Sequence, residues 1–209
     1  MSKEIVRTGY DAVADRYVAT RRLHDKERSL LQDFAGRLPA GAAVLDTGCG
    51  AGVPVTQWLG QRFHVTGVDI SEEQIRLARR LVPQATFRRE DMTALDLPDG
   101  IFDGICSFYA VIHIPRNEHR PLLASFHRLL KDRGLLLICM GAGDLPDDVE
   151  DFLGAPMYWS HYDAETNLRM TQEAGFEVLR SELVPDCLDP EGVANHLFLL
   201  AQKREAGAR

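Results

Sequence analysis

The spacing of apolar residues changes repeatedly along the chain, and these changes predict the secondary structure. Short apolar runs bounded by Gly, Pro, Asn or Asp indicate buried β-strands, whereas apolar residues three or four positions apart indicate amphipathic helices. Strands are predicted at 43–47, 64–69, 85–89, 102–108, 135–140, 176–183 and 194–203. Helices are predicted at 3–22, 25–38, 52–61, 71–82, 117–134 and 163–175.

The alternation of strands and helices predicts an α/β fold. Repeated strand–helix pairs form a Rossmann-like, doubly wound and mostly parallel sheet with helices on both faces. The last two strands follow one another without a helix, so we expect seven strands with the last one antiparallel. Ligands bind such sheets at the carboxyl ends of the strands, where the winding reverses. The ends of the first, second and fourth strands are therefore expected to surround one crevice.

The first predicted strand runs directly into a glycine-rich turn. Residues 43–52 read Ala-Val-Leu-Asp-Thr-Gly-Cys-Gly-Ala-Gly, with Asp46 at the end of the strand and glycines at 48, 50 and 52. Glycine accepts backbone conformations that other residues avoid, and it lets a ligand approach the main chain closely. A helix is expected to begin just after the turn, where its free N–H groups face the ligand. Gly52 is expected to serve helix–strand packing.

The second predicted strand ends in a carboxylate, Asp69, which lies 21 positions after Gly48. This separation is expected when an acidic side chain binds ribose hydroxyls. The alternative role, capping the following helix, falls more naturally to Ser71. The dinucleotide fingerprint G-x-G-x-x-G needs a glycine at position 53, which is Val53. The spacing therefore favours a loop that packs against an adenosyl amino acid over one that binds a pyrophosphate.

Four stretches of the chain, 44–52, 65–71, 90–98 and 102–115, resemble the class I S-adenosylmethionine-dependent methyltransferases, specifically the small bacterial methyltransferase-domain type. The resemblance implies the strand order 3-2-1-4-5-7-6, S-adenosylmethionine as cofactor and S-adenosylhomocysteine as product. It also implies cofactor-binding roles for residues that follow the strands or lie on the first helix. These are Asp46, Gly48, Cys49, Gly50, Asp69, Ile70, Asp91, Met92, Ser107, Phe108, Tyr10 and Tyr17.

Individual roles follow from the same resemblance. Asp46 orders the glycine loop and reaches the methionine amino group, or it only caps the loop. Ile70 lies against the adenine face, and Asp91 accepts from the adenine amine, unless it is a plain loop aspartate. Phe108 lies near the methionine chain. The first helix, with Tyr10 and Tyr17 seven positions apart, closes over the cofactor as a lid or simply docks on the sheet as an amphipathic helix.

The acceptor side offers two candidate catalytic bases. His113 follows the fourth strand and therefore faces the crevice, although residues here often cap the next helix. His161 lies in an aromatic segment within 141–162, a stretch that interrupts the strand–helix alternation and is expected to be a substrate-side insertion. The predicted substrate-binding residues are Tyr109, His113, Tyr158, Trp159, His161 and Tyr162. The aromatic residues either bind the acceptor or form the packed underside of a surface loop.

The resemblance implies methyl transfer to an O or N atom of a small molecule. The chain has Ser107-Phe108-Tyr109-Ala110 where nucleobase methyltransferases carry Asn/Asp-Pro-Pro-Tyr, which disfavours a nucleobase acceptor. Two alternatives stay open: a non-catalytic S-adenosylmethionine-binding module or sensor, and an NAD-dependent oxidoreductase, against which Val53 argues.

Composition limits the remaining possibilities. The 209 residues, with 45% hydrophobic content, predict one globular domain. It divides into N-terminal helices (1–38), a cofactor-binding core (40–140), the insertion (141–162) and a C-terminal helix with two strands (163–205). A net charge of −7 argues against nucleic-acid binding. No apolar run is long enough to span a membrane. Four scattered cysteines, at 49, 106, 139 and 187, suggest reduced thiols and no metal site. We therefore expect a cytoplasmic monomer or homodimer.

Overall fold

The computed structural model describes residues 2–185 and 195–205, so the predicted thiol at Cys187 lies outside the described residues. The α-helices are α1 (Ser2–Thr20), α2 (Asp25–Arg37), α3 (Val55–Leu59), α4 (Glu72–Leu81), α5 (His119–Leu129) and α6 (Ala164–Glu173). The strands are β1 (Ala43–Thr47), β2 (His64–Asp69), β3 (Thr86–Arg89), β4 (Phe102–Ser107), β5 (Leu130–Gly141), β6 (Leu145–Phe152), β7 (Ala155–His161), β8 (Phe176–Pro185) and β9 (Asn195–Lys203).

Seven of these strands form one sheet in the order β3-β2-β1-β4-β5-β9-β8. The first five pair in parallel, and β9 lies antiparallel between β5 and β8. The α/β prediction is confirmed. The order is 3-2-1-4-5-9-8 rather than the predicted 3-2-1-4-5-7-6, because two strands of a separate sheet precede the last pair. The central position of β1 places its glycine turn between the tips of β2 and β4.

The two additional strands, β6 and β7, form a separate antiparallel hairpin inside the 141–162 insertion. Leu153 and Gly154 connect them with φ angles of 55° and 87°. Positive φ at both central residues gives a two-residue turn whose twist matches that of the paired strands. The sequence analysis missed this hairpin, because Leu-Gly is not a typical turn pair and because β6 is largely polar.

Some helix and strand ends lie where the sequence predicts them, and others do not. Ser71 caps α4 as expected, since its side chain accepts the Gln74 N–H at 3.1 Å. Asn117 does not cap α5 but lies within a single 3₁₀ turn at Arg116–Glu118. Helix α3 is shorter than predicted, because the turn after Gly52 continues to Pro54 and the helix begins only at Val55. Strand β5 starts at Leu130, five residues earlier than predicted.

Apolar side chains cover both faces of the large sheet. One cluster packs Leu45, Ile105 and Leu136 of the strands against Phe126 of α5, and the other packs Val44, Cys106 and Leu137 against Phe34 of α2. Among the described residues, no helix has the length and apolar character required to cross a membrane.

The contact between α2 and β4 depends on Gly104, because a Cβ there would lie 2.6 Å from Cζ of the buried Phe34. Gly104→Ala is therefore expected to lower the free energy of unfolding by about 1–3 kcal/mol, the usual cost of overpacking. Gly36→Ala, on the exposed side of α2 with no described atom within 4 Å of a Cβ, is the matched control and should raise it by about 0.5–1 kcal/mol. Urea unfolding measures both, and equal stability of the two variants would contradict this packing.

Candidate functional site

The glycine loop after β1 is bonded to the end of β2. The backbone N–H groups of Gly48 and Cys49 both donate to the Val68 carbonyl, at 2.8 and 3.0 Å. The Gly50 N–H donates to Oδ2 of Asp69 at 2.9 Å. Gly48 and Gly50 have φ angles of 67° and 53°, which L side chains rarely adopt. The loop is therefore held by β2 rather than by its own helix.

The space around each glycine distinguishes their roles. A Cβ on Gly48 would lie 2.1 Å from the Ala110 side chain, so the loop packs closely on the segment after β4. A Cβ on Gly50 would lie 3.6 Å from Oε1 of Gln74, its nearest neighbour in the described part of the chain. At Gly52, a Cβ would meet Phe87 at 3.0 Å, which agrees with the predicted packing role. Gly50 thus leaves room above the loop.

Asp69 joins the loop to the following helix. Its Oδ1 accepts the Ser71 N–H at 2.9 Å while Oδ2 accepts that of Gly50. Burial raises the pKa of Asp69 to about 6, and the two backbone hydrogen bonds oppose this shift. Each carboxylate oxygen has two lone pairs, so hydroxyl donors of a ligand still find acceptor sites.

One cavity lies over this loop, at the carboxyl ends of β1, β2 and β4. It comprises about 630 Å³ between protein atoms, including the part that opens to solvent. Its walls come from α1, the glycine loop, and the segments after β2, β3 and β4. They are Lys3, Val6, Tyr10, Tyr17, Gly48, Gly50, Val68, Asp69, Ile70, Glu90, Asp91, Met92, Phe108, Tyr109, Ala110, His113 and Ile114. Most of the predicted cofactor residues are thus brought together.

A smaller cavity adjoins the loop between the end of α1 and the start of α3. Asp46 lines it, 2% exposed, and accepts a hydrogen bond from Thr56 Oγ1 at 2.5 Å. Burial raises the pKa of Asp46 to about 6. Arg21 lines the same cavity and forms a buried ion pair with Glu27 at 2.7 Å. Cys49 also contributes to this wall, and burial raises the pKa of its thiol well above the usual value.

Arg21 was not singled out by the sequence analysis. Its guanidinium lies 4.6 Å from the centre of the Tyr109 ring. Although burial alone would lower the pKa of Arg21, the charges of Tyr17 and Glu27 raise it. A cation from the end of α1 therefore shares a small cavity with the Asp46 carboxylate. Its spacing was the sequence feature that could have pointed to it. Arg21 follows Tyr17 by four residues, which places both on the same face of a helix.

Helix α1 covers the main cavity. Asp11 accepts hydrogen bonds from Ser71 Oγ and the Glu73 N–H, at 2.6 and 3.2 Å, and so fastens α1 to the start of α4. At Gly9 the helix lies so close to β7 that a Cβ would be 2.7 Å from the Pro156 carbonyl. Tyr10 and Tyr17 point into the cavity with their ring centres 5.4 Å apart.

The carboxylate of Asp91 has partners on both sides of the cavity edge, one of them from α1. Oδ1 accepts the Thr93 N–H at 2.9 Å and caps a short 3₁₀ turn, and Oδ2 forms an ion pair with Lys3 of α1 at 3.0 Å. Lys3 also bonds Glu118 at 2.8 Å. Burial would raise the pKa of Asp91, but the Thr93 and Lys3 hydrogen bonds hold it below its usual value. An adenine amine at Asp91 would share this oxygen with Lys3.

The predicted acceptor-side residues separate into two groups. His113 lines the main cavity, and its two ring nitrogens contact Tyr10 and the carbonyl of Tyr158. Trp159 packs on His113 with ring centres 4.3 Å apart and the ring planes tilted by 44°. The side chains of Tyr158, His161 and Tyr162 instead bond or pack on Asp147, the Gly143 carbonyl and Arg116, respectively.

Two further predicted residues bond or pack on other parts of the chain. Ser107 is fully buried behind the loop, where its Oγ donates to the Thr47 carbonyl at 3.0 Å. Tyr109 lines the main cavity, and its ring packs on Arg21, His196 and Phe198. Phe152, which the sequence analysis did not name, contacts Tyr10 and Tyr17 from the hairpin, with ring centres 6.1 Å from each.

Comparison with known proteins agrees with this geometry. Residues 44–134 match the family model described as "Methyltransferase domain". Over 106 residues the chain is 37% identical to 2-methyl-6-phytyl-1,4-hydroquinone methyltransferase of Synechocystis sp., covering 48% of this chain and 32% of that protein. The chain spans about half the length, or less, of the first curated relatives it matches.

Solved structures share the fold. 1,6-Didemethyltoxoflavin-N1-methyltransferase of Burkholderia thailandensis, crystallised with 1,6-didemethyltoxoflavin and S-adenosylhomocysteine, aligns with a TM-score of 0.74 at 23% identity, covering 97% of this chain and 88% of that one. The [4+2]-cyclase SpnF aligns with a TM-score of 0.75 at 20% identity, covering 99% and 98%. At these identities the likeness shows the fold alone.

Residues 44–134, which include the glycine loop and Asp69, are thus similar to a methyltransferase domain, and the fold is shared with methyltransferases of known structure. The site fits S-adenosylmethionine as a cofactor. Gly50 leaves its backbone uncovered beneath the cavity, and Asp69 offers acceptors for a diol. Asp46 and Arg21 are complementary to the ammonium and carboxylate of an α-amino acid.

Asp69→Ala is expected to weaken S-adenosylhomocysteine binding about 10- to 150-fold, equivalent to about 1.5–3 kcal/mol for a charge-assisted hydrogen bond. Isothermal titration calorimetry gives the dissociation constant. Glu72→Ala, which removes a nearby exposed carboxylate that pairs with Arg89, should leave it unchanged. An unaltered affinity in the Asp69 variant would remove this residue from the cofactor site.

Proposed function

We propose that the protein transfers a methyl group from S-adenosylmethionine to an oxygen or nitrogen atom of a small molecule. The observation that carries the proposal is the pairing of two adjoining cavities around one glycine loop. The larger contains Asp69 and the apolar side chains of Ile70 and Met92, and the smaller contains Asp46 and Arg21. An adenosyl group suits the first environment and a zwitterionic amino acid the second.

The roles of the residues follow from this division. Asp69 accepts from the ribose hydroxyls, Ile70 and Met92 flank the adenine, and Asp91 accepts from its amine in place of Lys3. Arg21 binds the carboxylate of the amino-acid end, and Asp46 holds its ammonium. The cofactor supplies an electrophilic methyl group, so the protein's task is to align the acceptor and exclude water. The closed lid formed by α1 provides that exclusion.

A small acceptor is supported by the elements around the acceptor end of the cavity. They are the start of α1, the segment after β4 and the β6–β7 hairpin, which together add no second domain within the described residues. The relatives named above methylate a hydroquinone and a didemethyltoxoflavin, by their names. The net charge of −7 also disfavours a nucleic-acid acceptor. We further propose a cytoplasmic location and a monomer or homodimer, as expected from the sequence.

The cofactor assignment is tested by titrating the protein with S-adenosylhomocysteine and, separately, with NADH. We expect the first to bind with a micromolar or lower dissociation constant and the second to bind at least 100-fold more weakly, because the loop lacks the third glycine of a pyrophosphate-binding turn. Calorimetry or intrinsic fluorescence measures both. Preferential NADH binding would replace the methyltransferase proposal with an oxidoreductase.

The amino-acid end is tested with a truncated ligand. Arg21→Lys should weaken S-adenosylhomocysteine about tenfold or more, because lysine cannot reproduce the planar fork of the guanidinium. It should leave the affinity for 5′-methylthioadenosine, which lacks the amino-acid group, within about twofold. Arg22→Lys, at the neighbouring surface position, is the matched control. Equal losses for both ligands in the Arg21 variant would assign Arg21 a purely structural role.

A non-catalytic binding module is the alternative, since a fold by itself does not determine a function. It predicts S-adenosylhomocysteine binding with no methyl transfer to any acceptor. Methyl transfer to any acceptor would exclude it.

A further inference from the structure

The proton arrangement at His113 is set by its two partners. Nδ1 lies 2.7 Å from the Tyr158 carbonyl oxygen, which can only accept, so Nδ1 carries the hydrogen. Nε2 lies 2.9 Å from the Tyr10 hydroxyl and, in the neutral ring, accepts the proton of that hydroxyl. His113 is 3% exposed, and burial lowers its pKa to about 4, so the ring is neutral at pH 7.

This uncharged pair lies between aromatic side chains. Trp159 packs on the His113 ring in a tilted arrangement, and Phe152 contacts both Trp159 and Tyr10, with ring centres 5.6 and 6.1 Å away. Within the cavity, Val6 and Ile114 add apolar surface at the same end. Walls of this kind suit a flat, apolar ring.

The cations at this end are bonded to carboxylates. Lys3 pairs with Asp91 and Glu118, Arg7 with Glu4 and Asp11, and Arg116 with Asp144. With Asp91 engaged by the adenine amine, Lys3 still pairs with Glu118. An acidic acceptor would therefore have to displace a carboxylate from Lys3, Arg7 or Arg116. The surroundings therefore favour an acceptor whose buried end is uncharged.

We propose that the acceptor is an uncharged aromatic hydroxyl compound and that Tyr10 and His113 together take its proton. This inference rests on the proposed function. As the C–O bond forms and the sulfur keeps the electron pair of the broken C–S bond, the acceptor's proton passes to the Tyr10 oxygen. The Tyr10 proton passes to Nε2 of His113, which becomes an imidazolium and later releases the proton to water.

The electrostatics of the cavity agree with this sequence. The cofactor would bring one positive charge into the site and lose it on methyl transfer. A proton taken up by His113 at that point would leave the net charge of the site unchanged. A buried histidine that is neutral at rest is thus available as the proton acceptor when the acceptor oxygen becomes acidic.

The experiment uses 1-naphthol, catechol and methylhydroquinone as aromatic hydroxyl probes. Three matched compounds each change one property. In 1-naphthylamine an amine replaces the hydroxyl group, benzoate carries a negative charge, and cyclohexanol has a non-aromatic ring. Formation of S-adenosylhomocysteine from S-adenosylmethionine is measured by mass spectrometry, and binding of 1-naphthol to the S-adenosylhomocysteine complex by calorimetry. We expect turnover and binding with the aromatic hydroxyls and at least tenfold less turnover with the matched compounds.

Two variants test the proton route. Tyr10→Phe removes the hydroxyl, and His113→Asn keeps a donor near the Tyr158 carbonyl but removes Nε2. Each should lower kcat about 100-fold, within the range of general base catalysis, while the dissociation constant of S-adenosylhomocysteine changes less than threefold. The double variant should be no slower than either single one, because the two groups act in series. Thr8→Val, on the exposed face of α1, is the control and should retain full activity.

The outcomes distinguish a failure of the proposed function from a failure of the proposed acceptor class or proton route. If S-adenosylhomocysteine does not bind, the proposed function fails and this inference with it. If it binds but the matched amine or acid is preferred, or no probe reacts, the acceptor class is wrong while the cofactor assignment stands. An unchanged kcat in Tyr10→Phe, or multiplicative losses in the double variant, would overturn the proton route.

Discussion

The attachment of the glycine loop to the end of β2 is the constraint on which the rest of the site depends. Two backbone N–H groups of the loop are bonded to the Val68 carbonyl, and a third is bonded to Asp69. Because β1 and β2 are neighbouring parallel strands, these bonds require no distortion of the sheet. They place the uncovered backbone of Gly50 beside the carboxylate of Asp69. This carboxylate accepts backbone N–H groups of the protein in place of water. A surface with uncovered backbone beside an acidic side chain results directly from strand pairing.

Burying the carboxylate of Asp69 at this position costs folding free energy. Removing a carboxylate from water disfavours its charged form, and the raised pKa of Asp69 expresses this cost. The same holds for Asp46. The pKa of each carboxyl group is higher in the folded protein than in the unfolded chain. Each group therefore stabilises the fold most at low pH, and this stabilisation is lost as the pH rises to about 6 and above. At neutral pH the protein therefore keeps two carboxylates that oppose folding, which is typical of residues retained for binding.

Helix α1 adds a cover over the main cavity. It is fastened by polar contacts at Lys3 and Asp11 and by close packing of Gly9 on the hairpin, and Arg21, directly after the helix, pairs with Glu27. Lys3 contacts Asp91 and Arg21 contacts Tyr109, and both of these partners line the main cavity. The contacts that hold this end of the chain therefore include residues of the cavity wall. The hairpin completes the roof by placing Phe152 and Trp159 against Tyr10 and His113.

The sequence by itself determined the α/β class, most strand positions, the Ser71 cap and the gathering of most candidate cofactor residues around one cavity at the strand ends. These depend on local periodicity, on glycine's freedom in φ and on short separations along the chain. Only the tertiary structure decided the β6–β7 hairpin, the shorter α3, the ion pairs of Lys3 and Arg21, and the neutral state of His113. Each of these depends on burial or on partners more distant along the chain, which periodicity does not encode. Pairing energies and pKa values arise from what surrounds a side chain in space, and folding alone determines those surroundings.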